Sequence, residues 1–288
     1  MIERSGPRAV AESLIIVKGG GDLATGIAHR LHRSGFPVII TEVERPTMVR
    51  RAVAFAECLY AGRTEVEGVA AERAEGRTAG EMLAAARALL AQGIVPVAVD
   101  PEAAIAGPAR PAGLVDAILA KRNLGTRLEQ AEAVIGVGPG FTAGIDVHAV
   151  VETARGHTVG RVILEGSAEP DTGVPGPIGG YTAERLLRAP APGRFEPRAE
   201  IGDAVEAGEV VAAVDGQEVR ARIKGVLRGL LRGGLDVEAG FKVGDVDPRA
   251  RPEHCFTISD KSRAVGGGVL EVIMMLLFGV SSPAVRTP

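Results

Sequence analysis

The chain has 288 residues, 46% hydrophobic and 24% charged, an ordinary globular composition with enough apolar material for a large core. A net charge of −3 and an aromatic content of 3%, with no Trp, argue against a nucleic-acid footprint, which needs basic surface and stacking platforms. Two cysteines make no disulfide framework, residues 1–12 lack the apolar core of a signal peptide, and the longest apolar run, Val269 to Val280, is broken by Glu271 and too short to span a bilayer. The expectation is a cytoplasmic protein that engages neither membrane nor nucleic acid.

The organising stretch is Leu14 to Glu42. Leu14 to Lys18 is a short apolar run with a basic end and predicts a buried strand. Gly19, Gly21 and Ala24 then give the G-x-G-x-x-A spacing of a dinucleotide loop, with Gly20, Asp22 and Leu23 between them. In such a loop the first glycine permits the tight turn, the second lets a pyrophosphate approach the backbone, and the small third residue lets helix and strand pack closely. The predicted helix buries Leu23, Ile27 and Leu31 and ends at Ser34-Gly35. Its first N–H groups face an anion. Val38 to Thr41 is the second strand, and Glu42 stands where an acid binds a ribose hydroxyl in this motif. The competing reading is a glycine turn with no ligand.

Further along, Thr47 to Arg51 predicts a short helix, Val53 to Phe55 a strand, and residues 61–80 an exposed stretch. Thr78-Ala-Gly-Glu81 is a capping box opening an Ala/Leu helix that stops at Gly93. Ile94 to Val99 is the next buried strand, ending in Asp100-Pro101. Leu114 to Ala120 is strand or helix, Lys121-Arg122-Asn123 a polar cluster, and Ala133 to Val137 a strand. A second glycine loop follows at Gly136, Gly138, Gly140 and Gly144; it either cradles phosphate or simply turns the chain, and Pro139 removes one donor. Residues 145–165 read as a hairpin. Asp146, His148 and Glu152 fall on one face of its first strand, a set able to hold a divalent metal or move a proton, or merely a solvated face.

Residues 166–180 form a long Gly/Pro loop. From about Arg188 the texture is all-β, with an internal repeat of VEAG tetrads, Asp203 to Gly208 and Leu235 to Gly240. The two halves look like those of a biotinyl/lipoyl-type domain, but Lys224 lacks the turn of a modified lysine, so the module reads as structural or docking. After Pro252 an apolar helix returns, carrying Gly266-Gly267-Gly268 and a lone Glu271. Cys58 reads as core. Cys255, beside His254, is a weaker nucleophile candidate, since a nearby cation would activate it.

Together these elements predict an α/β fold: a Rossmann-like parallel sheet (residues 13–186), an inserted small all-β barrel-sandwich hybrid of biotinyl/lipoyl type (187–250), and a returning C-terminal helix (251–288).

Several stretches resemble the YqeB-type family of selenium-dependent molybdenum hydroxylase system proteins: VKGGGDLATGIAHRL, TEVERPTMVRRAVAFAECLYAG, VDAILAKRN, GVGPGFTAGIDVHAVVETARGH, DTGVPGPIGG, VEAGFKVGDVDPR and KSRAVGGGVLE. The first part also looks like the nucleotide-fold half of XdhC-type accessory proteins, which assist molybdenum cofactor insertion. The resemblance implies a maturation factor with a molybdenum hydroxylase client and supplies no catalytic residues. The motif reading adds a nucleotide-type ligand, a molybdopterin dinucleotide or NAD(P), with metal at Asp146 and His148 as a further expectation. An NAD(P)-dependent oxidoreductase and a non-catalytic scaffold stand as alternatives, and the oligomeric state, a homo-oligomer included, is open.

Overall fold

A computed structural model describes residues 9–280. Residues 1–8, most of the stretch read above for a missing leader, and 281–288 lie outside the described residues. The first nine strands are β1 (Ile15–Lys18), β2 (Val38–Glu42), β3 (Arg63–Val66), β4 (Val69–Ala74), β5 (Val95–Val99), β6 (Gly113–Asp116), β7 (Ala133–Val137), β8 (Ala149–Val151) and β9 (Val162–Ile163). They form one sheet in the order β3-β4-β5-β2-β1-β6-β7-β8-β9. Helices α1 (Asp22–Arg33), α2 (Cys58–Ala61), α3 (Ala79–Leu90), α4 (Ala106–Ala109) and α5 (Asp260–Phe278) complete this part, α2 and α4 being single turns.

The expected parallel Rossmann-like sheet is corrected to a mixed one. β3 runs antiparallel to β4 at one edge and β9 antiparallel to β8 at the other. The connections flanking β7 carry no α-helix, because Gly125, Pro139, Gly140 and Gly144 interrupt any 3.6-residue periodicity there. Alternating side chains of the central strands feed two cores. Ile15, Val17, Val38 and Ile40 pack with α1 and α5, while Ile16 and Ile39 pack with Met82, Leu83 and Ala86 of α3. Burial on both faces explains why these strands read as continuous apolar runs. The capping box at Thr78 and Glu81 forms as its spacing demands, and α3 follows it.

The all-β segment contains β10 (Leu186–Arg188), β11 (Gly193–Pro197), β12 (Ala204–Val205), β13 (Val210–Val214), β14 (Gln217–Arg220), β15 (Gly225–Leu230), β16 (Asp236–Val237) and β17 (Lys242–Asp247). These sort into two four-stranded antiparallel sheets, β10-β17-β15-β12 and β14-β13-β11-β16. The biotinyl/lipoyl-type barrel-sandwich hybrid is corrected accordingly. Each repeat, 203–208 and 235–240, supplies only a two-residue edge strand that ends on the Val of its VEAG tetrad, and the two edges belong to different sheets. The sheets share one core, in which Phe195, Leu227, Leu231 and Val243 are fully buried. β15 is covered by the segment after β2: Leu230 N–H donates to the Val49 carbonyl at 2.8 Å, and Arg51 Nε donates to the Leu230 carbonyl at 3.2 Å.

Smaller corrections follow the same physics. Val53 to Phe55 forms 3-10 turns, Arg51–Val53 and Phe55–Glu57, rather than a strand. Residues 63–74 form the β3–β4 edge hairpin, half exposed as an edge allows. Glu271 is exposed, so α5 is not apolar all round and its acid needs no buried partner. The triple glycine serves packing. A Cβ on Gly266 would stand 3.0 Å from the Gly26 carbonyl of α1, and one on Gly268 would press on the Gly160 carbonyl. Gly267 faces open space. Gly268→Ala is therefore expected to lower stability by about 1–3 kcal/mol through overpacking, whereas Gly267→Ala leaves it unchanged or raises it by up to about 1 kcal/mol. Urea midpoints of the two variants check the contrast.

Candidate functional site

β1 ends in Lys18, and the chain turns through Gly19, Gly20 and Gly21 into α1. Gly19 has φ +93°, and a Cβ there would meet the Ala117 carbonyl oxygen at 2.9 Å. Gly20 is engaged at both polar groups. Its N–H donates to Glu42 Oε2 at 2.8 Å, and its carbonyl accepts from Ala56 N–H at 3.0 Å and from Thr25 Oγ1 at 3.2 Å. A Cβ on Gly20 would sit 2.8 Å from Ala56 Cβ. The fold thus requires glycine at both positions. Gly21 differs. It is the N-cap of α1 with φ −69° and ψ −176°, a conformation open to any residue, and the nearest atom to a Cβ there is Met48 Cβ at 4.0 Å. Asp22, Leu23 and Ala24 occupy the first turn, where helix geometry leaves N–H groups without intrahelical partners.

Glu42, at the end of β2, does not stand free for a ribose. Its second oxygen, Oε1, accepts from Val43 N–H at 2.8 Å, so the carboxylate braces the glycine turn against its own strand. Burial raises its pKa above the ordinary carboxylate value despite the Val43 and Gly20 amides, which act the other way. The group that stands over the helix start is one the motif reading passed over. Arg50 is 6% exposed; its Nη1 lies 3.4 Å from Asp22 Oδ2, and its Nη2 donates to the carbonyls of His254 and Thr257 at 2.9 and 3.2 Å. Its Nε has no partner among the described residues. Lys261 also feels the charge of Asp22, and burial holds it below the ordinary lysine value.

On the other side of β1 lies a buried polar chain. Register places Lys18 beside Asp116 of β6. Lys18 Nζ is 3.3 Å from Asp116 Oδ2 and donates to Thr126 Oγ1 at 2.9 Å, which in turn donates to Asp116 Oδ2 at 2.6 Å. Asn123 continues the chain: its Nδ2 donates to the Thr126 carbonyl at 2.8 Å and lies 3.4 Å from Asp146 Oδ1. The segment 117–127 therefore ties the first glycine loop to the second.

The second loop closes on itself. A Cβ on Gly136 would strike the Phe141 ring, one on Gly138 would lie 2.7 Å from Thr153 Oγ1, and one on Gly140 would lie 2.6 Å from the Arg122 amide nitrogen. Packing alone explains these glycines. The metal candidates are likewise committed to backbone. Asp146 Oδ2 accepts from Thr142 N–H at 2.8 Å, His148 Nδ1 accepts from Val134 N–H at 3.0 Å, and Glu152 accepts from the amides of Thr153, Ala154 and Glu169. β8 begins only at Ala149, so the three side chains do not share a strand face. Among the described residues no group of three His, Cys, Asp or Glu is placed to hold a metal ion. Burial keeps His148 below its ordinary pKa.

Two outcomes are expected. Asp116→Ala leaves Lys18 buried and unpaired and costs about 3–5 kcal/mol, most of which the apolar pair Lys18→Met with Asp116→Leu restores, as read from urea midpoints. Cys58 and Cys255 are both fully buried. Burial pushes the Cys58 thiol up to about 12, and it raises Cys255 even with Arg50 and Arg228 nearby. A disulfide thiol reagent at pH 8 therefore titrates neither in the native protein and both after denaturation.

Comparison with known proteins follows this geometry. Over 264 residues the chain is 48% identical to "Uncharacterized protein YqeB" of Escherichia coli (strain K12), a match covering 92% of this chain and 48% of that protein. The chain thus spans about half the length of the curated relative it matches. No family model matches it. Among solved structures, an aspartoacylase family protein from Mesorhizobium loti aligns over 86% of this chain and 87% of its own at 15% identity, with a TM-score of 0.26. A succinylglutamate desuccinylase from Silicibacter sp. TM1040 aligns over 81% and 84% at 14% identity, with a TM-score of 0.24. At these scores neither likeness assigns an activity. No described helix is long and apolar enough to cross a membrane. Over nearly all of its own length, the chain is a relative of YqeB.

Proposed function

We propose that the chain holds a nucleotide-bearing anionic ligand against the first turn of α1 and serves as an accessory factor in maturing a molybdenum hydroxylase. The observation that carries the ligand reading is Gly21. The fold demands glycine at 19 and 20 but not at 21, where the backbone is ordinary and a side chain would have room. A bare backbone at that point, facing first-turn N–H groups, suits the close approach of a pyrophosphate. Arg50, buried beside the helix start with one N–H unused, supplies charge at the same place. Asp22 offsets part of that charge. Among nucleotide-bearing ligands a molybdopterin dinucleotide is the candidate, because the sequence resemblance points to molybdenum enzymes; the hydroxylase client enters on the same ground. Glu42 contributes by fixing the loop through the Gly20 and Val43 amides.

Calorimetric titration with CDP, CTP, NAD, NADP and a molybdopterin dinucleotide tests the reading. The expected result is binding of the cytidine or molybdopterin ligands, lost at least tenfold in Gly21→Val while the urea midpoint moves by no more than about 1 kcal/mol equivalent. Binding of nicotinamide cofactors alone would transfer the site to an oxidoreductase. No binding, or equal binding by the variant, would make the loop structural.

A further inference from the structure

The far end of α1 carries a feature that the nucleotide reading does not use. His29, Arg30 and Arg33 of α1, Arg263 of α5 and Glu67 of the β3–β4 turn line an open cleft of about 410 Å³. Two of the three arginine heads, those of Arg30 and Arg263, are held. Arg263 Nη2 donates to both oxygens of Glu67, at 2.6 and 2.8 Å, and Arg30 Nη2 donates to the Arg263 carbonyl at 3.3 Å. Glu67 itself is pinned: it sits in the hairpin turn with φ +47° and accepts from Ile258 N–H at 2.9 Å. Arg33 is exposed, with no hydrogen bond or ion pair among the described residues.

Three arginines and one carboxylate thus line one concave site, on a chain whose net charge is −3. Part of this has an ordinary cause. Cations in the last turn of α1 complement its dipole, which accounts for Arg30, His32 and Arg33. The same rule disfavours Arg263, which lies near the start of α5, at the positive end of that helix. Its guanidinium is nevertheless brought to the other cations. Glu67 answers Arg263, so the charges of Arg30 and Arg33 are left for an anion, and guanidinium forks match the oxygens of a tetrahedral oxyanion.

We propose that Arg30, Arg33 and Arg263, with His29 on the wall, form a binding site for a phosphate-class anion that is distinct from the start of α1. The test is proton NMR of the histidine ring signals of the full chain during titration with inorganic phosphate, pyrophosphate or CDP, against chloride at equal ionic strength. Saturable shifts of the His29 and His32 signals are expected, weakened at least fivefold in Arg33→Ala, whose exposed side chain leaves the fold intact, and preserved in Gly21→Val. Saturation by phosphate alone identifies the free ion as the ligand; saturation only by pyrophosphate or CDP identifies a group carried on a larger molecule. Shifts that chloride reproduces, that survive unchanged in Arg33→Ala, or that vanish in Gly21→Val would overturn the assignment, as would their absence with every anion.

Discussion

The hydrogen bond from Gly20 N–H to Glu42 Oε2 is the constraint on which the rest is built. It ties the turn after β1 to the end of β2. With the Gly20 carbonyl taken by Ala56 and Thr25, the turn has little freedom left. The direction of α1 follows from it, and so does the place of its first-turn N–H groups at the carboxyl edge of the sheet. A loop shaped before any ligand arrives avoids the ordering cost that a flexible loop would meet on binding. The half-buried Glu42 carboxylate is tolerated because both of its oxygens accept backbone N–H groups.

α5 completes the arrangement from the far end of the chain. Its glycines let it lie against α1 closely enough for Gly266 to face the Gly26 carbonyl, and the segment leading into it brings His254 and Thr257 to Arg50. Arg50 is thereby fixed by two backbone carbonyls while its charge remains directed at the helix start. The two-sheet segment enters the same neighbourhood through β15, whose neighbour β17 carries Lys242, and through the buried Asp245, which Arg185 and Arg228 hold on both oxygens. The surroundings of the α1 start thus draw on residues from separate stretches of sequence.

That separation explains what could be read in advance. β1, α1 and β2 were legible because their signals are local: an apolar run, Leu23, Ile27 and Leu31 at helical spacing, and Ser34-Gly35 at the stop. The capping box at Thr78 was legible for the same reason. The mixed sheet was not. β3 alternates polar and half-buried residues, as an edge strand does, and only the Glu67-Gly68 turn signalled a hairpin. β8 and β9 are two or three residues long and give no period. Lys18 was visible as a charge ending a buried run, but its partner Asp116 is set beside it by strand register alone. Asp146, His148 and Glu152 looked like a ligand set because even spacing implies a shared strand face; the chain instead turns between Thr142 and Asp146, and each side chain answers a backbone amide.

The central claim is that the start of α1 receives an anionic, nucleotide-bearing ligand. Amide chemical shifts of Gly21, Asp22, Leu23 and Ala24, followed by heteronuclear NMR as a dinucleotide ligand is added, test it most directly. The account predicts saturable shifts centred on these four amides, with the Arg50 Nε signal moving alongside them. Unmoved amides at 21–24 while the ligand binds elsewhere, or no saturable change at all, would contradict it.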